Sequence, residues 1–160
     1  MSLRRSSLRR SKPRPRRDGP SPEQLHREAL TALLRPRERR ICALAHHGGC
    51  RGVLQADHVI EKQRLKQAYG VIERAGRDAA LRAEPIEHPL LLLTLDEVIA
   101  DGRNGWMLCE RHHSLKTSRL LVPEWEEIPR RVDVFAALVG FEWLEDTREY
   151  RLVAPQQPQE

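Results

Sequence analysis

Apolar residues come in short, punctuated segments whose spacing changes along the chain. Residues 1–20 are Arg, Ser and Pro with little to bury, and are expected to be disordered. Ser21-Pro22-Glu23-Gln24 then reads as a helix start, with Ser21 as N-cap, Pro22 at the first helical position and Gln24 completing a capping box. Leu25, Ala29, Ala32 and Leu33 follow at helical spacing and suggest the buried face, and Pro36 ends the helix. Ile41 to Leu44 reads as a short strand or the lead-in to a turn. In His46-His47-Gly48-Gly49-Cys50 the glycines suit a tight turn with positive φ. Val53 to Ile60 has strand character, and residues 61–88 are mostly helical in composition until Pro85 and Pro89 break the run. Leu90 to Leu95 fits a strand or a short helix, and Asp96 to Arg103 is expected to turn the chain. Trp106 to Leu108 reads as a second strand and Glu110 to Leu120 as a helix. A turn at Val122 to Trp125 precedes an amphipathic helix over Pro129 to Val139, with Val132, Phe135, Ala136 and Val139 on one face and Gly140 closing it. Phe141 to Leu152 alternates loosely as a terminal strand or hairpin, and Pro155 to Glu160 is a polar tail.

This mixture predicts an α+β chain of one ordinary domain with extensions. The net charge of +5 is unevenly spread: residues 1–17 carry seven Arg, one Lys and no acid. Setting those eight aside leaves 20 basic residues against 23 acidic ones, so the remainder is mildly acidic. A basic arm on such a body suits nucleic acid, by electrostatic attraction to phosphate. No apolar run approaches the ~18 residues of a membrane helix, and no signal peptide is evident. The expectation is a soluble, cytoplasmic protein without membrane contact. In that setting three cysteines favour metal binding over disulfides.

Two stretches carry candidate chemistry. Leu54-Gln-Ala-Asp57-His58 ends a strand-like run, and Asn104-Gly-Trp-Met-Leu-Cys109-Glu-Arg-His112-His113 leads into a helix. Metal-assisted phosphodiester hydrolysis needs ligands for a divalent cation, a neutral imidazole to take a proton from water, and a group that keeps the imidazole oriented. Asp57 and His113 are assigned as ligands, His58 as general base, and Asn104 as the group that fixes nearby backbone and so holds His58. Mg²⁺ is the expected metal, and Mn²⁺ or Ni²⁺ would also suit one oxygen and one nitrogen. Lys116 and Thr117, on the His113 face of the helix, are candidates to contact a phosphate, with Arg111 and Arg119 weaker ones. Asp101 reads as a turn residue, and His26 and His88 as incidental.

Asp57-His58, Asn104 and Cys109-x-x-His112-His113-x-x-Lys116 together resemble the HNH endonuclease motif of the ββα-metal fold. The resemblance covers roughly residues 41–120. It implies a small nuclease core, within which residues 61–95 read as a mostly helical insertion; the helix within 21–40, the helix and strand extension over 121–152 and the tail from 153 lie outside the resemblance. It also implies a structural zinc, as many members have. Cys109 and His112 have knuckle spacing, and Cys42 and Cys50 complete the preferred set, with His46 or His47 as alternatives to one of them. Small stand-alone members resemble phage and prophage proteins, so a bacterial or phage origin and a phage or host protein partner are expected.

The preferred reading is thus a DNA endonuclease, with duplex or branched DNA favoured because few aromatics are available to stack single-stranded bases. The other is a zinc-stabilised nucleic-acid-binding module without turnover, which has no need of the intact Asp57, His58, Asn104 and His113 set.

Overall fold

The computed structural model describes residues 19–83 and 88–153. The Arg-rich arm, the break expected at Pro85 and the polar tail lie outside them. The described chain is α+β, with two small antiparallel sheets. In order it forms α1 (Pro22–Leu33), β1 (Leu54–His58), α2 (Lys62–Leu81), α3 (Leu95–Ala100), β2 (Gly105–Cys109), α4 (Glu110–Thr117), α5 (Arg130–Leu138), β3 (Phe141–Leu144) and β4 (Glu149–Leu152), joined by short 3-10 turns. β1 pairs with β2 in a register that sets Leu54 opposite Cys109 and His58 opposite Gly105, and β3 pairs with β4. Among the described residues no helix is long and apolar enough to cross a membrane.

The caps form as their residues dictate. The Ser21 hydroxyl accepts from the Gln24 N–H at 3.2 Å, and the Gln24 side chain accepts from the Ser21 N–H at 2.8 Å. The face that α1 buries differs from the expected one. Leu25 and Leu33 are exposed, and His26, Leu30 and Leu34 are buried at i, i+4 spacing. The choice falls to the partner surface: α1 lies on the turn at Gly102–Asn104 and on the start of β2. A Cβ built on Gly102 would stand 2.5 Å from the backbone of Ala29 and Leu30, so only glycine lets the two segments approach this closely.

Of the two readings of Ile41 to Leu44, the lead-in to a turn forms, with one ladder-like bond from the Ala43 N–H to the Met107 carbonyl at 2.8 Å. Asp96 to Arg103 is not simply a turn, because Thr94 and Glu97 form a reciprocal capping box that starts α3. The preceding apolar run is a 3-10 turn, Pro89–Leu92. His88 is not incidental either, since its Nδ1 caps that turn by accepting from the Leu90 N–H at 3.1 Å.

Two buried clusters result. One joins Leu65, Ala68 and Ile72 of α2 to Leu90, Val98, Val132, Phe135, Ala136, Phe141 and Tyr150. The other gathers Cys42, Leu44, Trp106, Leu108 and Cys109 around the first sheet. Helix α2 and the C-terminal segment therefore build one core together. Ile60, just past β1, belongs to it. Val59 packs against both clusters and links the sheet to this core.

Gly102→Ala is expected to lower stability by about 1–3 kcal/mol, because the contact it violates is with backbone rather than with a movable side chain. Denaturant unfolding of the variant beside wild type checks this, and an unchanged midpoint would contradict the close approach.

Candidate functional site

Four candidate zinc donors meet at one end of the first sheet. The turn after Leu44 carries Cys50 back to α4, and Arg111 fixes it by donating from Nη1 to the carbonyls of Gly48 (3.1 Å) and Gly49 (2.9 Å). Gly48 and Gly49 have φ of +75° and +65°, and a Cβ on Gly49 would collide with the Arg111 guanidinium. The ladder extends past the strands through Glu110 N–H to Val53 O and Arg111 N–H to Arg51 O. The sulfurs of Cys42, Cys109 and Cys50 then stand 3.2, 3.3 and 3.6 Å from the Nδ1 of His112. All four donor atoms lie within 4.8 Å of one another. A tetrahedral zinc with these ligands has S···N edges of about 3.6 Å, so the cluster could hold a structural zinc.

The chemistry of the donors agrees. The three cysteines are free thiols. Desolvation, and then the neighbouring sulfurs of Cys109 and Cys42, push the Cys50 thiol up to about 11. Burial works against ionising Cys109 too, but hydrogen bonds from the backbone of His112 and Arg51 and from Cys50 bring its pKa below the usual value. Burial, then the Arg111 charge, lower the pKa of His112 and keep it neutral, as a ligand must be. Crowded thiols of this kind ionise together only beside a cation. His46 and His47 take no part in the cluster and turn instead towards Glu127.

The other end of the β1–β2 ladder holds Asp57, His58 and Asn104. Asn104 is fully buried, and both its side-chain bonds go to Ile60: Oδ1 accepts from the N–H at 2.8 Å and Nδ2 donates to the carbonyl at 2.9 Å. The Asn104 carbonyl also accepts from the Val59 N–H. β1 is thus fixed where His58 leaves it.

Neighbours on a strand point to opposite faces, and Asp57 and His58 do so. Asp57 faces α4. Its Oδ2 accepts from Trp106 Nε1 at 2.9 Å and from Lys116 Nζ at 2.7 Å, while Oδ1 faces His113 Nε2 at 3.4 Å. One carboxylate oxygen is held and the other is presented to an imidazole. Lys116 also donates to the His58 carbonyl. Thr117 returns its hydroxyl to the His113 carbonyl at 2.8 Å, and Arg119 follows the helix with φ +57°. Asp101 is a turn residue, its Oδ1 accepting from the Arg103 N–H at 2.8 Å and its carboxylate pairing with the Arg103 guanidinium.

His58 faces α1 and α3. Its Nε2 donates to the carbonyl of Ile99 at 2.9 Å. That carbonyl is in the last turn of α3, where a helix leaves acceptors unpaired. The bond fixes the tautomer and leaves the lone pair on Nδ1. Burial lowers the pKa of His58 and Lys116 adds to this, against the Ile99 carbonyl and Asp57.

His26 is a neighbour of the candidate site that the sequence pattern, which left it incidental, did not reveal. Its ring stacks on His58 with centroids 3.8 Å apart and planes 14° off parallel. Its Nδ1 donates to the Asp101 carbonyl at 3.1 Å, and its Nε2 is buried without a partner. Burial, and then the His58 ring, push its pKa down to about 4. The one available signal was a polar residue in register with Leu30 and Leu34.

The protein is expected to carry one tightly held zinc at the thiol cluster, and chelating it should lower the melting temperature. Cys50→Ser should lose that metal while leaving little cavity, since Cys50 is exposed. Zinc analysis and thermal melts check both; full zinc retention in the variant would contradict the site. His26 is neutral in the fold and protonates in the unfolded chain near pH 6.5. Its contribution is complete above that pH and is lost as the pH falls towards 4, on the order of 3 kcal/mol in all. His26→Phe should therefore lose less stability than wild type between pH 6.5 and 4, as read by urea unfolding at each pH.

No protein-family model, curated protein or solved structure matches the chain, and the functional reading therefore rests on the residues and their geometry.

Proposed function

We propose that the protein is a metal-dependent DNA endonuclease of the HNH kind, built on a β1–β2–α4 unit that a zinc at Cys42, Cys50, Cys109 and His112 stabilises. The observation that carries this reading is the meeting of Asp57 Oδ1 and His113 Nε2 at 3.4 Å, with His58, the residue that follows Asp57 in β1, held in one tautomer.

Cations bound at about 2.1 Å by one oxygen and one nitrogen hold those atoms about 3.0–3.4 Å apart. Asp57 and His113 fit that span and would hold Mg²⁺, with Mn²⁺ or Ni²⁺ as substitutes. When bound, the cation polarises the phosphate and stabilises the leaving oxygen. The chain's own residues do the rest. His58, neutral at physiological pH, takes a proton from water at Nδ1. The Ile99 carbonyl and the His26 ring restrict how the imidazole turns. Asn104 acts through Ile60 and keeps the end of β1 in place. Trp106 and Lys116 hold Asp57 Oδ2, so that Oδ1 is the oxygen offered. Lys116 and Arg119 line a cleft with Arg64, Arg148 and Trp106. Arg64, Arg148 and Lys116 are each paired with a carboxylate, Glu149, Glu124 and Asp57, so the cleft is of mixed charge, and the Arg-rich arm adds attraction for phosphate that weakens with salt. Arg111 is engaged with the Gly48 and Gly49 carbonyls, Thr117 with its own helix, and Lys116 with Asp57 and the His58 carbonyl, so Arg119 is the best placed of the four to meet phosphate.

Plasmid nicking by the zinc-loaded protein with Mg²⁺, Mn²⁺ or Ni²⁺ tests the reading. His58→Ala and His113→Ala should each lower the rate at least about 100-fold, with duplex binding largely kept. Because the folded pKa of His58 lies below 6.5, the rate should fall with acid only below that pH. Undiminished cutting by His58→Ala would remove it as the base. Absence of cutting with every metal, by wild-type protein that still binds duplex DNA, would favour the non-catalytic binding module.

A further inference from the structure

We infer that His46, His47 and Glu127 form a third metal site, for a divalent transition ion of the zinc class, separate from both the thiol cluster and the Asp57–His113 pair. This inference does not depend on the nuclease reading.

The two histidines lie in a 3-10 turn, Ala45–His47, between two of the thiols. The turn is held by Ala45 N–H to Cys42 O, His47 N–H to Leu44 O and Gly48 N–H to Ala45 O. Its position is thus set by Cys42 on one side and by the Arg111-bound glycines on the other. The rings lie 4.3 Å apart, and both Nε2 atoms point at the same carboxylate oxygen, Glu127 Oε1, that of His47 at 2.7 Å.

Glu127 is fixed independently. It ends the 3-10 turn Trp125–Glu127, and its Oε2 accepts from the Glu124 N–H at 2.8 Å in a capping box. The Glu124 side chain is in turn held by Arg148 at 2.6 Å. One oxygen is therefore committed to the turn and the other is aimed at the histidines. The three donor atoms lie within 4.8 Å of one another. They reach this arrangement from positions 80 residues apart, on two turns braced by different neighbours.

Two imidazole nitrogens and one carboxylate oxygen suit Zn²⁺, Ni²⁺ or Cu²⁺ better than Mg²⁺ or Ca²⁺, which prefer oxygen ligands. Three protein ligands leave a coordination position open. The histidine side chains keep 55 and 33 % of their surface in solvent, so an ion has access from outside. A metal here would tie the thiol-bearing turn to the segment that leads into α5.

Binding of Zn²⁺, and of Co²⁺ as a spectroscopic probe, tests the inference on the full chain. The His46→Ala/His47→Ala double variant and Glu127→Gln should each bind one equivalent fewer than wild type. The thiol cluster reports through sulfur-to-cobalt charge transfer, and that band should survive in both variants. His113→Ala should keep the equivalent that the other variants lose, which separates this site from the Asp57–His113 pair. Should the double variant disturb the turn and lose the charge-transfer band, Glu127→Gln decides, because it lies outside the thiol-bearing segment. A Glu127→Gln protein that binds as many equivalents as wild type, with undiminished affinity, would overturn the third site. So would a wild-type chain that takes up no more metal than the double variant.

Discussion

Asn104 spends both arms of its amide on a single residue, Ile60, and the candidate site depends on that clasp. The amide is fully buried, so its two bonds have no water to replace them, and each buried polar group left without a partner would cost about 1–3 kcal/mol. The clasp decides where β1 ends. Residues 57 and 58 must then face opposite sides: Asp57 towards α4, His58 towards α1 and α3. At the far end of the same ladder the thiols of residues 42, 50 and 109 converge on His112. The first sheet has only two strands, and a pair of that size is marginal in water without further support. Here a side-chain clasp closes one end and a metal-competent cluster the other.

The charges around Asp57 follow from this frame. Trp106 sits opposite Asp57 in the register and gives its indole N–H to one oxygen, and Lys116 reaches the same oxygen from α4. The second oxygen is left for His113. His58, on the other face, lies in a different environment. It stacks on a second histidine, is mostly buried, and meets a helix-end carbonyl that needs a donor. Burial lowers its pKa and favours the neutral imidazole. In His26 the same effect is stronger, and it makes this face of the molecule sensitive to acid.

The segment over 61–95 and the C-terminal segment are not ornaments on a smaller core. Leu65 and Ile72 of α2 pack with Phe135, Phe141 and Tyr150, and Ile60 brings the end of β1 into the same cluster. Arg64 reinforces the junction by donating to the Tyr150 carbonyl at 2.9 Å. Positions at the end of β1 are therefore held by two cores, and a metal at His46, His47 and Glu127 would separately tie the thiol-bearing turn to the segment that leads into α5.

Local signals in the sequence were enough for several features. The Ser21 and Gln24 box, the strand ending at His58, the Cys109-x-x-His112 knuckle and the glycine turn before Cys50 each depend on a few adjacent residues, and each forms where its residues stand. The capping box at Thr94 and Glu97 was equally local and was obscured by the apolar run beside it. What the sequence alone could not decide were matters of partnership. The helical spacing of α1 allows more than one buried stripe, and the Gly102 turn and β2 selected the one that carries His26. Two adjacent histidines near two cysteines read as alternative zinc ligands, until the fold placed Glu127, 80 residues away, beside them. Side-chain periodicity fixes which residues share a face. Only packing between distant segments fixes what that face meets, because those contacts depend on where long connections bring the chain back.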